Sequence, residues 1–166
     1  MATPNVPDKP SLEGLEARWG EAWDEQGTYA FDRTKERAEV FSIDTPPPTV
    51  SGSLHVGHVF SYTHTDCIAR YKRMRGVDVL HPMGYDSFGL PAENAAIKTG
   101  VHPRTFTDAR IEELRSSLVR IGGGYDWRRQ VMSHDPGYIR WTQWIFKRFY
   151  EAGLVYRRNA PVNSCP

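Results

Sequence analysis

The chain has 166 residues, of which 39% are hydrophobic and 25% charged, and its formal net charge at pH 7 is +1. That length suits one domain with a sizeable core. The composition is ordinary for a globular chain, so disorder is not the default, and the small net charge gives no global field for nucleic acid, so any RNA contact must come from a local patch. Cys67 and Cys165 lie far apart and argue for a reducing compartment rather than a disulfide framework. Met1 to Lys9 has no apolar core of a signal peptide, and no apolar run approaches membrane-spanning length. The expectation is a cytoplasmic protein with no membrane partner.

In chain order, Ser11 is a candidate N-cap for a first helix over 10–27, with Leu12, Leu15, Trp19 and Trp23 as its apolar stripe. Residues 29–39 read as a charged connection. Val40 to Ile43 is β-branched and aromatic and reads as a strand.

The stretch from Asp44 to His58, D-T-P-P-P-T-V-S-G-S-L-H-V-G-H, then organises the chain. Pro46, Pro47 and Pro48 fix φ and remove three donors, holding the chain extended. Ser51-Gly52 is read as the turn, with Gly52 supplying a positive φ. His55 and His58 are three apart and share a face of the following helix, and Gly57 between them leaves room for close approach to the backbone. Two imidazoles, a bare backbone and a helix N-terminus make a seat for phosphate. Surface histidines at a helix start are the plainer reading. A zinc pair is the poorer one, because no further ligand stands at the right spacing.

Val59 to Arg75 reads as a helix closing with Arg70, Lys72, Arg73 and Arg75 before Gly76, a basic cluster that complements the helix dipole as well as it would fit RNA. Val77 to Met83 is the next strand, so strand, helix and strand form a parallel βαβ unit. Ligands in such sheets bind beyond the strand C-terminal ends, where Pro46 to His58 and Gly84 to Glu93 both fall. A short helix over 92–98 follows. Another begins at Thr107-Asp108, with Ile111, Leu114, Leu118 and Ile121 on one face, and Gly122-Gly123-Gly124 breaks it. A short strand near 130–132 leads to Asp135-Pro136, which starts an aromatic-rich helix to Ala152. Its rings (Tyr138, Trp141, Trp144, Phe146, Phe149, Tyr150) suit a core or inter-element face better than RNA stacking. Leu154 to Tyr156 reads as the start of a final strand.

P-P-P-T-V-S-G-S-L-H-V-G-H resembles the ATP-binding motif of class I aminoacyl-tRNA synthetases, and Tyr71 to Asn94 resembles the second motif of their leucyl, valyl and isoleucyl group. The resemblance runs from about Leu12 to the end; it is valyl-like up to His58 and leucyl-like from Tyr71 on. It implies a Rossmann-like α/β domain, a parallel sheet with flanking helices, forming the first half of a synthetase catalytic domain over 40–166. It also implies ATP with Mg2+, leucine or valine, and tRNA as partners. The catalytic pair would be His55 and His58, and Pro48, Ser51, Gly52 and Gly57 would join them in binding ATP. Pro46, Pro47, Thr49, Tyr85 and Asp86 would line the amino-acid side, Asp86 taking the α-ammonium. Tyr85 stands where the family usually has Trp, and the triple glycine where it usually has one. Glu93 and Asn94 would brace the loop. Cys165 resembles the first ligand of a zinc module, but one cysteine holds no structural zinc and no metal is expected.

The lysine-bearing triphosphate loop of the family is not in the sequence, so the chain is expected not to complete aminoacylation unaided. A second polypeptide or a C-terminal remainder would supply the other half of the site. Two alternatives stay open: a non-catalytic synthetase paralogue acting as a binding module, and a small H-x-G-H nucleotidylyltransferase.

Overall fold

Strand β1 (Val40–Ser42), helix α2 (Val56–Met74) and strand β2 (Asp78–Leu80) form the expected parallel βαβ unit in a computed structural model that describes residues 11–163. Helix α1 (Leu15–Glu25) precedes this unit. It is followed by β3 (Gly84–Tyr85), α3 (Leu90–Thr99), α4 (Pro103–Arg120), β4 (Val131–Met132) and α5 (Pro136–Glu151). Phe41 pairs with Val79 in the first ladder, and Tyr85 with Met132 in a second parallel ladder. The strands are shorter than expected. β2 stops at Leu80 because His81-Pro82 breaks the ladder, and Gly84–Tyr85, read as loop, is a separate strand.

Several boundaries differ from the sequence reading. Ser11 does not cap α1: Gly14, in the left-handed region at φ 73°, holds the N-cap position, and Leu12 is exposed. Helix α2 begins at Val56 rather than Val59. Helix α4 begins at Pro103, capped by His102, whose Nδ1 accepts from the Arg104 N–H at 3.2 Å. Ile121 falls beyond α4 and is exposed, whereas Ile111, Leu114 and Leu118 are buried as their spacing demands. No strand forms from Leu154 to Asn163, and Leu154 and Tyr156 lie exposed. Cys165 lies outside the described residues.

One core joins Val50, Tyr62, Met83, Tyr85, Ile111, Leu114, Leu118 and Tyr125, and a second joins Ile43, Ala69 and Val79. Fully buried His81 packs on Tyr125 with ring centroids 4.3 Å apart, and burial drives its pKa down to about 4, so the ring is neutral at pH 7. The aromatic face of α5 is not in a core. No α5 residue is buried, and Trp141, Phe146 and Tyr150 are each about two-thirds exposed, at 64%, 59% and 66%.

The triple glycine docks on α2. Asp66 accepts the Gly124 N–H at 2.8 Å, while Arg70 donates to the Gly122 carbonyl and Arg73 to that of Gly124. Arg70 also pairs with Asp66 at 2.6 Å and lies over the rings of Trp23 and Tyr29. Half of the basic cluster on α2 is therefore structural. A Cβ on Gly124 would sit 2.8 Å from Asp66 Oδ1 and 2.9 Å from Tyr29 Cε1. Gly124→Ala should accordingly destabilise the chain by about 1–3 kcal/mol in urea denaturation. An unchanged midpoint would mean that the loop can back away without losing these bonds.

Candidate functional site

The first motif leaves β1 extended and is held from two sides. The Tyr62 hydroxyl of α2 donates to the Pro46 carbonyl at 3.1 Å. Pro47 packs over Gly84, where an added Cβ would come within 3.3 Å of it. The Asp86 N–H donates to the Pro48 carbonyl at 2.9 Å, and the Val50 N–H to the Asp86 carbonyl at 3.1 Å, so Thr49 and Asp86 form a parallel bridge. The two motifs, far apart in sequence, meet at this bridge. Ser51 and Gly52 form the exposed turn that follows. Gly52 is not among the residues with positive φ, which corrects the reason assigned to it: it offers a bare surface, where an added Cβ would have no atom within 4 Å.

His55 is the N-cap of α2. Its Nδ1 accepts from the Gly57 N–H at 3.1 Å, and His58 Nδ1 accepts from the His55 N–H at 3.2 Å. This is a capping box built from two imidazoles, with ring centroids 3.9 Å apart. Because both Nδ1 atoms act as acceptors, each neutral ring carries its proton on Nε2. His58 is held below the ordinary histidine value by partial burial and then by His55. Gly57 is required here by the His55 ring: an added Cβ would lie 2.9 Å from its Cε1.

In the second motif, strand alternation sends neighbouring side chains to opposite faces. Tyr85 points into the core, 1% exposed, with its hydroxyl donating to Gln130 Oε1 at 3.1 Å and pushed up to about 12 by burial. It is therefore not an open wall. Asp86 is exposed at the end of β3. Glu93 and Asn94 lie exposed on α3.

Sequence reasoning missed a connection just beyond Asp86. Ser87 is buried, its N–H donates to Ser133 Oγ at 2.8 Å, and its Oγ lies 2.8 Å from His134 Nδ1. His134 Nε2 in turn lies 3.2 Å from Asp108 Oδ1. These residues come from three separated segments, so no local spacing could have flagged them.

A hollow of about 570 Å³ lies between α1 and the end of α4, beside Trp23, Tyr29 and Trp127, and none of the expected site residues lines it. Another, of about 240 Å³, lies beside Ser87, Glu93 and His134. At the N-terminus of α2 His55 is exposed and His58 half-buried, and a helix start of this kind suits an anion by its chemistry. Among the described residues no group of three or more His, Cys, Asp or Glu side chains could hold a metal ion, and no helix is long and apolar enough to cross a membrane.

A parallel βαβ unit whose first loop carries H-x-G-H at a helix N-terminus, tied to a G-Y-D strand end, is the arrangement that the resemblance to class I synthetases leads one to expect. Residues 18–166 match the family model of class I tRNA synthetases (I, L, M and V), and the chain belongs to that family. It is 50% identical over 151 residues to the leucine–tRNA ligase of Symbiobacterium thermophilum, covering 91% of this chain and 17% of that protein. The leucine–tRNA ligase of Fusobacterium nucleatum is 47% identical over 152 residues, covering 92% and 18%. The fold matches the Agrobacterium radiobacter K84 agnB2 LeuRS, solved as a ternary complex with tRNA and LeuAMS, at a TM-score of 0.79 and 41% identity, over 85% of this chain and 18% of that one. The chain thus spans less than a fifth of the length of these relatives.

The Gly57 geometry yields a test. Gly57→Ala must displace the His55 ring and break its bond to the Gly57 N–H, although alanine favours helix by about 1 kcal/mol. Helix content by circular dichroism should hold or rise while ATP affinity falls. Undiminished affinity would show that the capped His55 ring has no part in binding nucleotide.

Proposed function

We propose that the chain is the part of a leucine–tRNA ligase that receives ATP and the amino acid. The observation that carries this reading is the Thr49–Asp86 bridge, which pairs the backbone of the loop leading to His55 and His58 with that of Asp86, whose carboxylate suits an α-ammonium. Ser51, Gly52 and Gly57 give the nucleotide an exposed surface, while Pro48, whose ring is buried, supports it from beneath through the carbonyl that accepts the Asp86 N–H. The two Nε2–H groups donate to phosphate oxygens at the positive dipole end of α2. Pro46, Pro47 and Thr49 line the amino-acid side, with Asp86 on the ammonium. Tyr85 supports that side from beneath through its bond to Gln130.

In the reaction, a leucine carboxylate oxygen attacks the α-phosphorus of ATP. The new P–O bond forms as the bond to pyrophosphate breaks, and the electron pair leaves with pyrophosphate. A tRNA hydroxyl oxygen then attacks the acyl carbon of the adenylate; the new ester C–O bond forms as the acyl–phosphate bond breaks, AMP leaves with the electron pair, and the hydroxyl proton passes to the departing phosphate. No covalent enzyme nucleophile is needed; the chain positions two anions and stabilises charge on the phosphoryl group. Mg2+ bound to ATP would offset part of the triphosphate charge; no described residue is assigned to it. A cytoplasmic setting accords with this role. Triphosphate neutralisation, editing and tRNA anticodon contacts are assigned to sequence beyond these residues.

Replacing His55 and His58 together by Ala should weaken ATP binding at least roughly tenfold with the fold retained, as removal of preorganised donors does. Calorimetric affinity equal to the parent's would sink the assignment.

For the amino acid, the leucyl-like segment from Tyr71 onward outweighs the valyl-like Pro46–Thr49 wall. The chain should therefore bind leucyl-sulfamoyl-adenosine more tightly than the valyl compound. One methylene is worth only about 1–3 kcal/mol, so the preference should be modest. Tighter binding of the valyl analogue would reverse the assignment.

A further inference from the structure

We propose that His134, braced by Asp108, is a positioning residue that sets Asp86 for the amino acid; this rests on the reading of Asp86 given above. At the end of β3, Asp86 is held on the motif side by the Pro48 carbonyl and the Val50 N–H. On its other side the hold passes through its neighbours. The Ser133 N–H donates to the Tyr85 carbonyl at 3.2 Å, and the Ser87 N–H donates to Ser133 Oγ at 2.8 Å. Ser87 Oγ then meets both the His134 ring, 2.8 Å from Nδ1, and the His134 N–H at 3.3 Å. Asp108, on α4, fixes the far end of the ring at 3.2 Å from Nε2.

The chemistry of the chain of bonds is defined. In the neutral ring, Asp108 accepting from Nε2–H leaves Nδ1, nearer to Ser87 Oγ than the Tyr85 carbonyl is, as the acceptor for the Ser87 hydroxyl, so the carboxylate favours the tautomer that holds Ser87. The same three residue types form hydrolytic triads, but a nucleophilic Ser87 is excluded by its setting. It is 3% exposed, and its Oγ is crowded by the Tyr85 carbonyl, Ser133 Oγ and two His134 atoms. The relay acts on geometry instead. It anchors the residue after Asp86 to α4 and to the loop entering α5, so the carboxylate leaves the strand from a backbone fixed on both sides. Small misplacement of such a group costs far more than the energy of any one bond in the relay.

The test compares two probes on the full chain, leucyl-sulfamoyl-adenosine and ATP. His134→Ala should weaken the leucyl compound roughly tenfold while changing ATP affinity less than about twofold. His134→Asn, whose side-chain oxygen can accept from Ser87 near the place of Nδ1, should recover most of the loss. A role in general stability would lower both affinities together and would not be rescued selectively, and that result overturns the proposal. So does an unchanged leucyl-probe affinity in His134→Ala. Asp86→Asn separates the two levels of inference. If it discriminates between the probes and His134→Ala does not, the relay is wrong and the Asp86 assignment stands. If Asp86→Asn affects neither probe selectively, both fall.

Discussion

Two backbone hydrogen bonds, Asp86 N–H to Pro48 carbonyl and Val50 N–H to Asp86 carbonyl, are the constraint on which the site depends. Three consecutive prolines cannot donate to a ladder, so across them the loop after β1 can pair only through its carbonyls. The acceptor at Pro48 and the donor at Val50 both go to Asp86. That leaves Thr49 opposite Asp86 and buries Val50, which ties the loop into the main core. The prolines therefore do more than keep helix from starting early. By removing competing donors they specify a single register between the motifs.

The remaining scaffold keeps α2 where this register needs it. Tyr62 reaches back to Pro46 from one side of the helix, and Asp66, Arg70 and Arg73 clasp the glycine loop from its far half. Burial alone would raise the Asp126 carboxyl, yet the Arg128 guanidinium and the N–H groups of Phe31 and Arg128 hold it down at about 2. Asp126 thereby pins the connection before β1 to the turn before β4. A helix N-terminus can present donors to a ligand only if its axis is fixed. Here the fixing groups all lie away from the first turn, which stays open.

Much of what depends on local spacing was legible in the sequence, although the Ser11 cap, the φ of Gly52 and the strand at Leu154 were not. The βαβ order, the buried Ile111–Leu114–Leu118 stripe and the stops at Gly76, Gly100 and Gly153 all follow from periodicity or φ preference. The place of Tyr85 was not, because a motif names a residue type and not the face of the strand it occupies, and a strand of two residues gives no alternation to read. The exposure of the α5 aromatics was hidden too, because apolar periodicity reports an amphipathic face and cannot report whether anything lies against it. That helix is specified locally all the same: Asp135 accepts the Gly137 N–H at 2.6 Å, Pro136 occupies the first turn, and Glu151 pairs with Lys147 and Arg148. The Ser87–His134–Asp108 connection was illegible for the opposite reason, since it exists only once three distant segments have packed.

The imidazole capping box shows why histidine serves at this helix start better than the usual hydroxyl or carboxylate caps. A serine would satisfy one N–H and have little left to offer, and an aspartate would repel the phosphate that the helix dipole attracts. An imidazole spends Nδ1 on the cap and retains Nε2–H as a donor on the same rigid ring, so capping and anion binding do not compete. The arrangement also has a defined sign with pH. The depressed His58 value favours the neutral ring, so this contribution is present above 6.5 and is lost as pH falls through the folded value below it. Protonation at Nδ1 would add charge attractive to phosphate but would remove the acceptor that fixes the ring. In the proposed role a neutral His58 ring would trade raw electrostatic attraction for a donor already aimed, which matters more when charge on a transferring phosphoryl group must be met without reorganisation.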